Sequence, residues 1–152
     1  MDVKYINPFI ESFEAVMPQI GFGNIQKGNL SVKGQELINS GVIIIVGIVG
    51  SIKGNVAYCI GMNIAKKIAS VMMGAAIDDL DEMAQSALSE LANMLTASAV
   101  TYFYDLGIPV DISTPTLLHG KNISVNMNSS QVLCIQLLAD QNPIDINIAF
   151  EQ

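Results

Sequence analysis

Apolar residues in "INPFIESFEAVMPQIG" fall at positions 6, 9, 10, 13, 16 and 17, the spacing of a helix with one buried face. Asn7 before Pro8 reads as an N-cap with proline at the first helical position, and Pro18 and Gly21 close the segment. The stretch "NIQKGNLSVKGQEL" predicts a strand interrupted by glycine and turning near Gly34. In "SGVIIIVGIVGSIKGNVAYCIG" two β-branched runs meet near Ser51 to Gly54, which predicts a hairpin. A short helix over "MNIAKKIASVMMG" stops at Gly74, with Met72 and Met73 as gap-filling core residues.

The longest periodic segment spans roughly residues 80–105. Asp79 followed by Glu82 reads as an acidic capping box, and Gly107 and Pro109 supply the stop. Beyond it, "VDISTPTLLHGKNISVNM" predicts two short strands with a turn at Gly120–Lys121. "QVLCIQLLAD" and "IDINIAF" form a last hairpin around Gln141–Asn142–Pro143. The apolar positions 144, 146, 148 and 150 alternate with polar ones, so one face of that strand should meet solvent. The order is helix, three strands, two helices, then three or four strands. Short hairpins cannot join parallel strands, so the expected fold is an α/β (α+β) sandwich with a mixed, largely antiparallel sheet. A helix leading into strands occurs twice, a faint sign of duplication.

Composition narrows the chemistry. The 152 residues are 51% hydrophobic and 14% charged, enough apolar surface for one domain, read here as residues 1–152. A net charge of −7 argues against nucleic-acid and anionic-membrane surfaces. All seven basic residues are lysine, so the chain holds no guanidinium clamp for a phosphate, and it has no glycine-rich phosphate loop. The run "GVIIIVGIVG" is too short to cross a bilayer as a helix and reads as a buried strand. No signal peptide is apparent, so Cys59 and Cys134 read as buried free thiols in a reducing compartment, the cytoplasm. His119, the single histidine, reads as a solvated loop residue. One histidine and two separated cysteines make no familiar zinc site and give poor support for a nucleophile–histidine machine. No metal site or cofactor of its own is expected.

The long helix has two unlike faces on a helical wheel. Leu80, Ala84, Leu88, Leu91, Leu95, Ala99 and Tyr102 form an apolar stripe. Glu82, Ser86, Ser89, Glu90, Asn93, Ala97 and Val100 gather opposite. A Glu-x-x-Asn pair arises often by chance, and its plainest meaning is a wetted face. A face kept only for solubility, however, usually carries long charged side chains in i,i+4 pairs. This one carries Ser86, Ser89, Thr96 and Ala97, and no lysine lies between 67 and 121. Short side chains let another protein's backbone come close to Glu90 and Asn93.

"SALSELANMLTASA" resembles the signature helix of the CheC/CheX family of response-regulator phosphatases, with Ser86, Glu90, Asn93 and Ala97 in the family's places. Ala97 stands where glycine is common in that family. "INPFIESFEAVM", the hairpin "GSIKGNVAYCIGM" and the total length are similar to the CheX branch. The resemblance implies a pseudo-duplicated α/β domain that pairs as a homodimer through its sheets. It implies hydrolysis of the aspartyl phosphate of a CheY-like receiver, in chemotaxis or another two-component pathway. Glu90 would pair with the receiver's active-site lysine, and Asn93 would hold a water in line with the acyl phosphate. Ser86, Ser89 and Ala97 would contact the partner, and Mg2+ would come with the receiver. The first helix offers Glu11 and Glu14 but no second Glu-x-x-Asn, so one site per protomer is expected. A docking module that binds a receiver or receptor without hydrolysis is the alternative. A complete Glu/Asn pair favours the enzyme.

Overall fold

The computed structural model describes residues 3–151. In chain order its elements are α1 (Asn7–Val16), β1 (Ile25–Lys33), β2 (Glu36–Gly50), β3 (Gly54–Ile60), α2 (Met62–Met73) and α3 (Glu82–Asp105). Four strands follow: β4 (Val110–Ile112), β5 (Thr116–Asn126), β6 (Val132–Ala139) and β7 (Asn142–Phe150). Short 3-10 turns flank α1 at Val3–Tyr5 and Met17–Ile20. The strands form one sheet in the order β1-β6-β7-β3-β2-β4, with β5 also on β2. Every pairing among the described residues is antiparallel. The α+β architecture is the one expected from the alternation of helical and strand-like runs.

The main core lies between one face of the sheet and the three helices. Even-numbered residues of β2 and β3, such as Val42, Ile44, Val46, Val56 and Tyr58, point into it, as the period of two requires. Against them pack Phe9 and Phe13 of α1, Ile68 of α2, and Leu88, Leu91, Leu95 and Phe103 of α3. Phe103 stacks edge-on with both Phe9 (5.6 Å) and Phe150 (6.2 Å), tying α1, α3 and β7 together.

The other face of the sheet has its own cluster of Leu37, Ile43, Ala57, Cys59, Met127, Val132 and Ala149. No helix supplies its residues. The far end of the β2–β5 ribbon folds back over it. Gly41 and Gly120 face each other in that ribbon with φ of 130° and 146°, a conformation that glycine alone adopts without strain, and the register slips there. Gln35 and Met127 close the ribbon with two hydrogen bonds, and the Asn128 N–H donates to Asn55 Oδ1 on β3 (3.3 Å).

Several local expectations are corrected by this arrangement. There is no turn at Gly120–Lys121: β5 runs unbroken from 116 to 126 and bends at the glycine, which puts His119 in a strand opposite Val42. The polar face of β7 meets solvent only in part: Pro143 and Asp145 are half-buried and the rest is covered. Asn147 and Ala149 are buried there, with Asn147 Nδ2 donating to the Ala57 carbonyl (3.2 Å). The last hairpin turns at Asp140–Gln141, both at positive φ, so Asn142 and Pro143 already belong to β7. Asn7 is the first residue of α1, and its side chain makes no capping bond.

Candidate functional site

The start of α3 is fixed by Asp81, whose carboxylate accepts from the Ala84 N–H (2.9 Å). That corrects the expected cap at Asp79, two residues upstream. Gln85 adds a second clasp by donating to the Leu80 carbonyl (2.8 Å).

The rotation of α3 is set by what it buries: Ala84, Leu88, Leu91, Ala92, Leu95, Thr96, Ala99 and Phe103. Phe103 takes the inward place expected of Tyr102, which is half-buried, and Leu80 lies ahead of the helix. Thr96 is buried and polar, and it is satisfied twice. Its hydroxyl bonds the Ala92 carbonyl (2.7 Å) and the Tyr58 hydroxyl (2.8 Å). Burial pushes the Tyr58 phenol well above its ordinary pKa, so this pair stays neutral.

The opposite ridge of α3 is thereby turned outward. Glu90, Ser86 and Ala97 are exposed, while Ser89 and Asn93 are half-buried. Neither Glu90 nor Asn93 hydrogen-bonds or ion-pairs with any described residue, so both side chains are unengaged. At i and i+3 their Cβ atoms stand about 5–6 Å apart.

An open groove of about 640 Å3 runs along this ridge. One wall is α3, through Glu82, Gln85, Ser86, Ser89, Glu90 and Asn93. The other wall is Thr114, Pro115 and Leu117, from the three-residue link between β4 and β5 and the start of β5. The groove thus gathers four of the five residues singled out in the sequence and leaves Ala97 on the ridge beyond its end. Sequence reasoning missed the second wall. The visible trace of it was a proline, Pro115, inside a stretch otherwise read as strand.

The groove carries two carboxylates and no cationic side chain. No group of three or more histidine, cysteine or acidic residues able to hold a metal occurs among the described residues. The thiol of Cys59 is pushed up to about 12 by burial and then by the charge of Asp145, so it is no nucleophile near neutral pH. What the groove can offer a reaction is therefore the Asn93 amide, two carboxylates, a few small hydroxyls and close access.

A sequence model of the family described as "Chemotaxis phosphatase CheX" matches residues 42–138. The chain belongs to the CheX family. It is 32% identical over 127 residues to the CheY-P phosphatase CheX of Thermotoga maritima, covering 82% of this chain and 81% of that protein. The fold is also similar to two solved structures. A CheC-like superfamily protein from a Shewanella species superposes with a TM-score of 0.88 at 27% identity, over 100% of both chains. CheX in a CheX–CheY–BeF3–Mg2+ complex from Borrelia burgdorferi superposes with a TM-score of 0.84 at 26% identity, over 99% of this chain and 100% of that one. No helix among the described residues is long and apolar enough to cross a membrane.

If α3 divides its labour between faces, its cap and its ridge respond differently to truncation. Asp81→Ala should lower stability by about 1 kcal/mol through loss of the cap. Glu90→Ala and Asn93→Ala should each stay within about 0.5 kcal/mol of the parent. Urea unfolding followed by circular dichroism measures all three, and a large loss at Asn93 would make it a structural residue.

Proposed function

We propose that this CheX-family protein hydrolyses the aspartyl phosphate of a phosphorylated CheY-like receiver domain, using Glu90 and Asn93 of α3. The observation that carries this reading is the pair itself. An unengaged carboxylate and an unengaged carboxamide line an open groove on a rigid helix, beside side chains short enough to admit another protein.

An acyl phosphate needs little covalent help. Catalysis of phosphoryl transfer is largely positioning and charge stabilisation. The receiver brings Mg2+ and a lysine that neutralise charge on the phosphoryl oxygens. Glu90 pairs with that lysine and fixes the pose. Asn93 enters the receiver's site and holds a water in line. The water oxygen forms a bond to phosphorus as the bond to the aspartate oxygen breaks, releasing inorganic phosphate and a free carboxylate. Asn93 orients and does not act as a base, since a carboxamide has no useful basicity. Ser86, Ser89 and Ala97 make the docking ridge, and their small size lets the receiver backbone close on α3.

The protomer, read as one domain, carries one such site and works in the cytoplasm, where Cys59 and Cys134 stay reduced. Two copies pair through their sheets. The support for pairing is β1, an edge strand that leaves Leu30 and Val32 52% and 64% exposed. Light scattering at micromolar concentration should report twice the chain mass, and a single-chain mass would remove this part of the reading.

Removing the amide tests the mechanism. Loss of acyl phosphate from a receiver preloaded by a small phosphodonor should slow about 10²–10³-fold when Asn93→Ala replaces the parent, with receiver binding kept. Glu90→Ala should weaken both docking and rate, and Ser86→Ala should change little. Parental turnover by Asn93→Ala would refute the assignment, and binding without hydrolysis by the parent would leave only a docking module.

A further inference from the structure

The second wall of the groove has a specific structural origin. Ile48 pairs with Ile112 and Ile45 pairs with Thr116, so between these pairs β2 has two residues and the facing chain has three, Ser113 to Pro115. This is a β-bulge, and it pushes Thr114 and Pro115 out of the sheet towards α3. Ser113 holds the bulge down. Its N–H donates to the Gly47 carbonyl (2.9 Å) and its hydroxyl accepts from the Gly47 N–H (2.8 Å). The same hydroxyl donates to the Thr114 carbonyl (3.1 Å), bracing the residue that faces the groove. Gly47 makes room for this: a Cβ there would stand 3.1 Å from Ser113 Oγ.

We infer that the Ser113–Pro115 bulge is a second contact surface for the phosphorylated receiver, clamping the partner segment that bears its active-site lysine against Glu90 and Asn93. The inference rests on the phosphatase reading above and adds a specificity-determining element to it. Two observations commit the groove to that occupant. It is continuous with the Glu90/Asn93 ridge, so a receiver docked there must pass the bulge. Its lining carries the carboxylates of Glu82 and Glu90 with no cation of its own, which complements a cationic segment. Ser113 is a positioning residue: it acts through Thr114 and Pro115, not on the phosphoryl group.

A jaw of this kind governs binding and leaves the chemical step alone, and this separates it from Asn93. Thr114 is exposed, so Thr114→Trp adds uncharged bulk to this wall without disturbing the core or pairing with Glu90. With phosphorylated receiver as substrate, Thr114→Trp should raise KM about tenfold or more with kcat within about twofold. Affinity for the receiver activated by beryllofluoride should fall by the same factor. Ser113→Ala should shift KM in the same direction, and Ser113→Thr, which keeps the hydroxyl, should restore the parental value. Parental KM and affinity in Thr114→Trp, in a protein that does accelerate loss of the acyl phosphate, would overturn the inference and leave the phosphatase reading standing. No acceleration by the parent protein would remove both.

Discussion

One helix rotation governs the candidate site. A helix turns about 100° per residue, so fixing its buried stripe fixes every outward side chain. In α3 the stripe is fixed by packing of Leu88, Leu91 and Leu95 on the sheet and by the Tyr58–Thr96 hydrogen bond of 2.8 Å. Slipping the helix by one residue would strand the buried Tyr58 hydroxyl, at a cost of about 1–3 kcal/mol, while Thr96 would keep its bond to the Ala92 carbonyl within the helix. Apolar packing resists rotation broadly, while the hydroxyl pair selects one angle. Glu90 and Asn93 are aimed by that choice, though neither touches the core.

This division lets one element serve stability and recognition together. The inward face tolerates no polar group without a partner, and Thr96 has two. On the outward face Glu90 and Asn93 bond nothing, and Ser86, Ser89 and Ala97 beside them are small. A site held on a capped helix keeps its geometry better than one on a loop, which matters where the catalytic contribution is the placement of a water. The opposite wall follows the same logic with other means: Ser113 ties the bulge to Gly47 through two hydrogen bonds.

Much of the fold could be read from periodicity. The β-branched runs, the Gly74 stop and the long helix all carried strong local signals. The misreadings share a cause, which is that tertiary contacts decided what local chemistry left open. Asp79 and Asp81 are both good caps, and only the packing of α3 selects the second. Gly120 has turn chemistry but spends its freedom on a bend facing Gly41. The outer face of β7 looked solvated because nothing in its own strand reveals that Ala149 packs under the β2–β5 ribbon and that Asn147 bonds to β3. Glu90 and Asn93 were legible because they break the pattern of a merely soluble face. The second wall was not, because a bulge depends on the register between strands distant in sequence.

In the proposed mechanism this molecule contributes an amide and a carboxylate to a reaction centre that its partner largely provides. Hydrolysis of acetyl phosphate, a free acyl phosphate, measured with Mg2+ beside the phosphorylated receiver, tests that division most directly. The proposed mechanism predicts faster loss of phosphate from the receiver and no acceleration with acetyl phosphate. Steady turnover of acetyl phosphate by this protein alone would contradict it, since the chain would then hold a complete catalytic centre.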